Sequence, residues 1–403
     1  MQNTPKSLRL QIAVLGRVNS GKSSFINLLT GQQTSIISPL AGTTTDVVEK
    51  AMELPPLGPV LLMDTAGFGD ETELKTERMK KAIEALHKAD IVLLICEGET
   101  LSNIEYEIIR KAEGNKTPLI KIYNKADKFP VAKNDGLTLN SLDLSQRDAV
   151  LSKLTELLIK KCPADFLSEQ PLLGDLTPKN STIIMIIPLD YEAPRGRLIL
   201  PQVQAIRDCL DHNQNIIVCK ENNYKQTLEN LKTPPALVVC DSQIVDLMVQ
   251  ETPPEILCTT FSILMARFKA DLTLMAKNVA QIRKLNNGDK ILIAESCAHH
   301  AVEDDIGRVK IPALLRKKIQ KNLQIDFVSG CDFGKNLEQY KLVIQCGGCT
   351  VNRKEMLYRL KKCDEANVKI TNYGVCISEL KGVLERVLQP FPKAHEAYLS
   401  EFC

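Results

Sequence analysis

Apolar runs of strand length alternate with amphipathic stretches along the whole chain. In the first third, the predicted strands are residues 10–15, 60–63, 91–96 and 119–123. A helical pattern follows the first strand at 24–29, and residues 145–160 have the period of an amphipathic helix. Because buried strands that alternate with helices form parallel sheets, this part of the chain is predicted to be an α/β domain.

The same alternation continues in the rest of the chain. The predicted strands are residues 182–189, 215–219, 236–240, 290–294, 325–329 and 340–345. The predicted helices are residues 200–210, 224–231, a short helix from Gln243, 262–284, 312–323, 354–366 and 377–388. Residues 167–179, rich in proline, glycine and polar side chains, are predicted to be a linker, and Pro253-Pro254 breaks the chain.

The length and these breaks predict three α/β domains. A chain of 403 residues is long enough for two or three domains, each with its own core. The predicted domains are residues 1–168, 175–264 and 265–403. The middle domain is small and has exposed apolar strands, so it is predicted to pair with a second copy of the chain.

A phosphate-binding motif lies between the first predicted strand and its helix. Residues 16–23 read GRVNSGKS, which fits Gly-x4-Gly-Lys-Ser in the strand–loop–helix context that this motif requires. Backbone N–H groups of such a loop bind phosphate oxygens, Lys22 adds a charge near the β- and γ-phosphates, and the Ser23 hydroxyl binds Mg²⁺. The residues predicted to contact the nucleotide here are Asn19, Ser20, Gly21, Lys22, Ser23 and Ser24.

Two further motifs follow predicted strands and indicate a guanine nucleotide. Asp64 begins the sequence DTAG, where an acid can hold Mg²⁺ and the Gly67 amide can meet a γ-phosphate. Asn124, Lys125 and Asp127 belong to the sequence NKAD. A carboxylate at Asp127 accepts hydrogen bonds from the N1–H and 2-amino groups of guanine, and adenine lacks this pair of donors. The predicted nucleotide is therefore GTP or GDP.

Metal-binding side chains are spaced in pairs late in the chain. Cys297 and His299 are spaced Cys-x-His, and Cys346 and Cys349 follow after 46 further residues as Cys-x-x-Cys. Two glycines between the last two cysteines are expected to remove side-chain bulk. Tetrahedral zinc and an iron–sulfur cluster both fit this set of donors.

The fourth ligand position has several candidates. The Cys-x-His spacing favours His299, and His300 competes with it. Asp190 is either a labile oxygen ligand or a solvated capping residue. Because strands 290–294 and 340–345 run directly into the two cysteine motifs, both motifs are expected at the carboxyl edge of a parallel sheet. Three thiolates with a weak fourth ligand would leave an iron with an open coordination site.

Composition limits the location and the partners. A net charge of +2 gives no general electrostatic argument for a nucleic-acid partner, which would need a basic face. The odd count of 13 cysteines, with no leading apolar signal, indicates a reducing, cytoplasmic compartment. No apolar run is long enough for a membrane span. The cysteines that stand singly in apolar or amphipathic runs are predicted to be ordinary core residues: Cys96, Cys209, Cys219, Cys240, Cys258 and Cys376.

The first domain resembles the translation-factor-like GTPases, and within them the Era and MnmE branch. Besides the three nucleotide motifs, residues 41–46, AGTTTD, resemble the switch I motif of that branch. The resemblance implies that Thr44 binds Mg²⁺ and acts with Lys22 and Asp64 in GTP hydrolysis. Asn19 resembles the asparagine that helps MnmE-like members hold an activating K⁺, with a turn residue as the other interpretation.

One position departs from the pattern of small GTPases. Phe68 follows DTAG, where a Ras-like GTPase has a glutamine that orients water. Hydrolysis is therefore expected to be slow, or to use another residue such as Asp70 or Glu71. The fifth guanine-nucleotide motif is indistinct, and Asn140-Ser141 is a weak candidate for it.

The whole chain resembles the HydF family of GTPase maturation factors of [FeFe]-hydrogenase. The likeness rests most clearly on residues 193–198, 297–300, 304–312 and 346–349. It implies a P-loop GTPase domain, a small α/β dimerisation domain and an α/β domain with a [4Fe–4S] cluster held by Cys297, Cys346 and Cys349. Gln345 stands where some members have a histidine, so a histidine ligand there is excluded.

The same resemblance implies a scaffold role. A homodimer formed through the middle domain would receive a diiron precursor bearing CO and CN⁻, made with the help of two radical-SAM maturases, and pass it to apo-[FeFe]-hydrogenase. GTP would regulate the exchange of partners. The rival interpretations are an RNA- or ribosome-associated GTPase with a structural Cys₃His zinc module, and a GTPase switch whose cluster senses redox state. The near-neutral charge counts against the first rival.

Overall fold

The computed structural model of the protein describes residues 4–31, 48–68, 75–132, 135–163, 171–188, 198–296, 305–330 and 333–402. The chain divides into two compact units, Met1–Glu169 and Gln170–Cys403. None of the helices in the described ranges is long and apolar enough to cross a membrane.

In its described residues, the first unit is built on a six-stranded sheet. The strands are β1 (Leu10–Gly16), β2 (Val48–Leu54), β3 (Gly58–Asp64), β4 (Ile91–Glu97), β5 (Leu119–Asn124) and β6 (Gly136–Thr138). They lie in the order β2-β3-β1-β4-β5-β6, and every neighbouring pair is parallel except β2 with β3. The α-helices are Lys22–Thr30, Lys75–Lys88, Asn103–Gly114 and Arg147–Lys161.

Apolar side chains cover both faces of this sheet, because neighbouring residues of a strand point to opposite faces. Ile12 and Val14 of β1 belong to one buried cluster, whereas Ala13 and Leu15 belong to another. Such runs, apolar on both faces, are typical of parallel strands between two layers of helices. The parallel strands β1, β3, β4 and β5 therefore share one carboxyl edge.

In its described residues, the second unit contains two four-stranded parallel sheets. The first has the order β10-β9-β7-β8, with β7 (Thr182–Ile186), β8 (Asn215–Cys219), β9 (Leu237–Cys240) and β10 (Leu257–Thr260). The second has the order β12-β11-β13-β14, with β11 (Lys290–Glu295), β12 (Gln324–Ser329), β13 (Leu342–Gln345) and β14 (Lys369–Asn372). Their apolar residues form one continuous buried cluster.

Helices surround these two sheets. The α-helices are Leu200–Asp211, Tyr224–Glu229, Val245–Glu251, Phe261–Lys269, Leu272–Asn278, Ile311–Ile319, Arg353–Glu365, Tyr373–Lys381, Leu384–Leu388 and Pro392–Leu399. The division of this unit into domains at residues 264 and 265 stays a prediction, and that boundary falls within helix Phe261–Lys269.

The predicted α/β class with parallel sheets is confirmed, but the pattern failed to predict four strands. These are β2, β6, β10 and β14, and each lies at the edge of its sheet. β2 is largely exposed, and the other three have only three or four residues. Strands this polar or this short contain no apolar run that could reveal them.

Two predicted helices are each divided into shorter helices in the structure, and the predicted helices 224–231 and 312–323 end earlier, at Glu229 and Ile319. Residues 262–284 lie in helices Phe261–Lys269 and Leu272–Asn278 and the 3₁₀-helix Val279–Lys284. Residues 377–388 lie in helices Tyr373–Lys381 and Leu384–Leu388. The first break is at Asp271, whose carboxylate accepts the Leu274 N–H at 2.9 Å and so caps a new helix. The second is at Gly382, where a φ of +76° ends the helix.

Candidate functional site

The carboxyl end of β1 runs into the predicted phosphate loop. Helix Lys22–Thr30 begins directly after Gly21, whose φ of +91° lies in the left-handed region. A Cβ atom on Gly21 would lie 2.2 Å from Asn124 Nδ2, so this position requires glycine. Ser23 and Ser24 lie in the first turn of the helix. The loop therefore has the strand–loop–helix form that its sequence predicts.

Lys22 lies between the phosphate loop and the Gly67 segment. Its side chain is nearly buried, and its ammonium donates to the carbonyl oxygens of Gly16 at 3.1 Å and Arg17 at 2.7 Å. A Cβ atom on Gly67 would lie 2.8 Å from this ammonium and 2.6 Å from Val18 Cα. The structure thus brings together the loop, the lysine and Gly67, as a shared phosphate site requires.

Ser23 and Asp64 form the predicted Mg²⁺ pair. Ser23 Oγ donates to Asp64 Oδ2 at 3.2 Å. Asp64 Oδ1 is buried and accepts no hydrogen bond from the described residues. Burial raises the pKa of Asp64, and the charge of Lys22 opposes this shift. A half-buried hydroxyl and a half-buried carboxylate, one of whose oxygens is buried and accepts no hydrogen bond, fit a small cation that prefers oxygen ligands, such as Mg²⁺.

Asn124 joins the predicted base-recognition motif to the phosphate loop. It ends β5 and is buried. Its Nδ2 donates to Ser20 O at 2.9 Å, and its Oδ1 accepts the Ser141 N–H at 2.9 Å. Lys125, with a φ of +58°, and the exposed Asp127 follow in the same loop. Ser141, from the weak candidate for the fifth motif, therefore lies beside the base-recognition loop.

Glu97, at the carboxyl end of β4, is a residue of this site that the sequence analysis missed. It forms ion pairs with Lys125 and, at 3.6 Å, with Arg17 Nη2. Arg17 Nε also lies 3.3 Å from Oε1 of the fully buried Glu105. Glu97 thus links the phosphate loop to the base-recognition loop. Its place at the carboxyl end of a parallel strand, where such sheets bind ligands, was the available signal.

Phe68 belongs to the core of the first unit. It is 1% exposed, its N–H donates to Gly16 O at 3.3 Å, and its carbonyl accepts the Val18 N–H at 3.0 Å. A buried phenyl ring has no group that could orient a water molecule. Three further residues predicted to serve hydrolysis lie outside the described residues: Thr44, Asp70 and Glu71.

In the second unit, β13 runs into the predicted metal motif. The Cys346 N–H donates to Ala294 O at 2.9 Å, which extends the pairing of β13 with β11. The Ser296 N–H donates to Cys346 Sγ at 3.1 Å. Cys346 and Cys349 are free, half-buried thiols. Ser296, which follows β11 and precedes Cys297, therefore lies at the thiol of Cys346.

The other predicted ligands lie outside the described residues: Cys297, His299, His300 and Asp190. No group of three or more histidine, cysteine or acidic side chains that could hold a metal ion occurs among the residues that are described. Burial raises the pKa of Cys349, the charge of Cys346 raises it further, and the ammonium of Lys269 lowers it. Two free thiols at a strand end, one of which accepts a backbone N–H, fit part of a zinc or iron–sulfur ligand set.

A buried polar network lies behind residues 346–351, here called the cysteine turn, and it also escaped the sequence analysis. Gln345 is fully buried, and its Nε2 donates to Ser296 Oγ at 2.9 Å and to Cys346 Sγ at 3.4 Å. Its Oε1 accepts from Arg359 Nη1 at 2.9 Å. Arg359 is 1% exposed and pairs with Glu355 at 3.0 Å. An amide at a buried position of an apolar strand was the signal that something polar faces it.

Among the described residues, close neighbours require glycine at one of the two positions between the cysteines. Gly348 has a φ of +62°, and a Cβ atom there would lie 2.6 Å from Met356 Sδ. At Gly347 the nearest atom to a Cβ would be Ser262 Oγ, at 3.9 Å. A close contact that excludes a side chain is therefore present at Gly348, and the expectation for Gly347 stays a prediction.

The lone cysteines behave as predicted for core residues. The buried ones are Cys96, Cys209, Cys240, Cys258 and Cys376, and Cys219 is half-buried. Burial raises the thiol pKa of all six, which keeps them protonated and unreactive.

Known protein families match three stretches of the chain. Residues 172–270 match the hydrogen maturase F dimerization domain, and residues 273–390 match the hydrogen maturase F tetramerization domain. Residues 11–125 match the family described as 50S ribosome-binding GTPase.

The first unit is also similar to tRNA modification GTPases named MnmE. The protein of Legionella pneumophila (strain Paris) is 36% identical over 121 residues, which are 29% of this chain and 27% of that protein. The protein of Rickettsia bellii (strain OSU 85-389) is 37% identical over 123 residues, which are 30% of this chain and 27% of that protein. The chain therefore spans only 27% of the length of these relatives.

Two solved structures are similar to part of the chain. Era of Aquifex aeolicus bound to GDP·AlF4⁻ matches 52% of this chain and 93% of its own, with 20% identity and a TM-score of 0.34. The G domain of the T. maritima FeoB iron transporter matches 36% of this chain and 98% of its own, with 18% identity and a TM-score of 0.26.

The two hydrogen maturase F models follow one another in the second unit and together cover more than half of the chain. They are preceded by a GTPase domain, as its family match and its nucleotide motifs show. The chain therefore belongs to the HydF family of hydrogenase maturation proteins.

Proposed function

We propose that this chain is a GTP-binding and GTP-hydrolysing scaffold that holds a [4Fe–4S] cluster and delivers a diiron precursor to apo-[FeFe]-hydrogenase. The observation that carries the proposal is the hydrogen bond of 3.1 Å from the Ser296 N–H to Cys346 Sγ, in a chain of the HydF family. This bond brings the residue before Cys297 to the second cysteine motif. The compartment would be the cytoplasm, where thiols stay reduced.

The first unit would bind GTP with its phosphates on the loop of residues 16–23. Lys22 would exchange its bonds to loop carbonyls for bonds to phosphate oxygens, and the Gly67 amide would meet the γ-phosphate. Mg²⁺ would be held by Ser23, Asp64 and Thr44, and when bound it supplies positive charge that offsets the charge of the transferred phosphoryl group.

Guanine selection and slow hydrolysis follow from two residues of the first unit. Asp127 is exposed and free to accept hydrogen bonds from the N1–H and 2-amino groups of guanine. Phe68 stands where a water-orienting side chain would be needed and is buried in the core. The nucleotide would therefore act as a slow switch that regulates the exchange of partners.

The second unit would hold the cluster through Cys297, Cys346 and Cys349, with His299 at the exchangeable fourth position. The alternatives at that position are His300, Asp190 and solvent. When bound, the cluster supplies an iron whose open position can hold the diiron precursor. The hydrogen bonds from Ser296 and Gln345 to Cys346 Sγ support this assignment, because N–H donors stabilise a metal-bound thiolate.

The partners would be other copies of this chain, the radical-SAM hydrogenase maturases and apo-[FeFe]-hydrogenase. The matches to a dimerization domain and a tetramerization domain support self-assembly, with a homodimer as its smallest unit. The near-neutral net charge of +2 gives no reason to propose a nucleic-acid partner.

Anaerobic purification and reconstitution with iron and sulfide test this proposal. We expect about four irons and four sulfides per chain and an electron paramagnetic resonance signal on reduction. One zinc per chain without iron would instead support a ribosome-associated GTPase with a structural zinc module. The match of residues 11–125 to 50S ribosome-binding GTPases favours that second candidate.

A further inference from the structure

A buried lysine binds the backbone of the cysteine turn. Lys269 is the last residue of helix Phe261–Lys269, and it is 1% exposed. Its ammonium donates to three carbonyl oxygens, those of Gly348 at 3.0 Å, Cys349 at 3.1 Å and Val351 at 2.8 Å. A lysine has three N–H donors, so all of them are used within one short stretch of the turn.

Lys269 differs from Arg359, a second buried cation near the turn, in how its positive charge is compensated. Arg359 forms an ion pair with Glu355. In the described structure the hydrogen bonds of Lys269 go to neutral carbonyl oxygens. Burial lowers the pKa of Lys269 to about 8, and negative charge on Cys349 or Cys346 would raise it. A buried ammonium is costly unless an anion offsets its charge. Cys346 and Cys349 would supply such anions once they bind a metal or cluster as thiolates.

We propose that Lys269 is a positioning residue of the cluster site. Its three hydrogen bonds hold the turn of residues 346–351 in shape before a cluster binds. Its positive charge then stabilises the thiolate-bound cluster, and stabilises the reduced state more than the oxidised state because the reduced state is more negative. The first role depends only on the fold, and the second rests on the proposed cluster function.

The substitution Lys269→Met tests both roles, because methionine keeps an unbranched apolar stem and removes the charge and the three donors. The matched control is Arg267→Met, on the same helix. Arg267 Nη1 donates to the carbonyl oxygen of Leu172 at 3.2 Å and to Asp175 at 2.9 Å, and it makes no bond to the cysteine turn in the described structure.

Hydrogen exchange of the full-length apo-protein measures the first role. The Cys346 N–H is bonded to Ala294 O and the Val351 N–H to Gly348 O. We expect both amides to exchange about tenfold faster in Lys269→Met, since the loss of three buried hydrogen bonds makes local opening of the turn easier. Arg267→Met should leave both rates unchanged. Unchanged rates in a folded Lys269→Met protein would overturn the first role.

The reduction potential of the reconstituted cluster measures the second role. Purely mechanical support of the turn would not change this potential. We expect a lower potential in Lys269→Met and in Lys269→Gln than in the wild type and Arg267→Met. Lys269→Gln keeps an N–H donor without the charge, so it replaces Lys269→Met if the latter does not fold. Equal potentials in all four proteins would overturn the second role. A wild type that takes up no iron would overturn the proposed cluster, while the exchange rates would still decide the first role.

Discussion

At the scale of single residues, substituting each of the two glycines of the cysteine turn by alanine tests whether the shape of the turn matters for iron binding. Gly348→Ala places a Cβ atom against Met356 and forces a left-handed conformation that costs roughly 1–2 kcal/mol for an L-residue. Gly347→Ala meets no close atom. We therefore expect Gly348→Ala to lower both the iron content and the unfolding midpoint, and Gly347→Ala to match the wild type. Equal iron contents in the two variants would contradict this prediction.

Asn19 is a second residue whose role a single substitution can decide. It is exposed and has a φ of +63°, a conformation that glycine also adopts easily. Asn19→Gly therefore keeps the turn but removes the side-chain oxygen. If Asn19 helps to hold K⁺, the wild type will hydrolyse GTP faster in K⁺ than in Na⁺ at equal ionic strength, and Asn19→Gly will lose this difference. A K⁺ effect that survives in the variant would leave Asn19 as a turn residue.

At the scale of elements, one arginine connects helix Arg353–Glu365 to β13. Arg359→Met would leave Gln345 Oε1 and the Glu355 carboxylate without their donor. Because this breaks a largely buried ion pair, we expect a loss of about 3 kcal/mol in the free energy of unfolding. Urea unfolding followed by circular dichroism measures it. The control is Lys361→Met, at an exposed position of the same helix, which should change the free energy of unfolding by less than about 0.5 kcal/mol. An equally small change for Arg359→Met would refute the prediction.

At the scale of the whole molecule, the two candidate sites lie in different compact units, Met1–Glu169 and Gln170–Cys403. Cys346→Ser should lower the iron content severely, because serine is a harder and far less acidic ligand. It should leave GTP binding unchanged, because the nucleotide motifs lie in the other unit. Lys22→Ala should abolish GTP turnover and leave iron content unchanged. Cys219→Ser serves as the control for a thiol outside the motif.

Iron, sulfide and GTP hydrolysis should be measured on the same anaerobic preparations of these variants. A Cys346→Ser protein that is folded but no longer binds GTP would show that the two sites depend on one another. At the fourth position, His299→Ala should cost less iron than Cys349→Ser, because solvent or a neighbouring side chain can replace an exchangeable ligand.

The sequence by itself determined the interior strands and the local motifs. An apolar run such as that of β4 predicts a buried strand from the sequence alone, because exposing apolar side chains to water is unfavourable whatever elements later pack against them. The phosphate loop was equally predictable, since glycine at position 21 and the lysine and serine after it act through the backbone of a single strand–loop–helix unit. The strand ends also predicted that both cysteine motifs follow strands of one sheet, and the bond from the Ser296 N–H to Cys346 Sγ agrees with that expectation.

Only the tertiary structure decided which polar groups support those motifs. Lys269 and Gly348 are 79 positions apart, and no local pattern relates a helix-terminal lysine to a cysteine turn. Glu97 and Arg359 acquired their roles in the same way, from partners on other elements. The physical reason is that a buried charge is tolerated only where donors and acceptors surround it, and those surroundings exist only after distant elements have packed together.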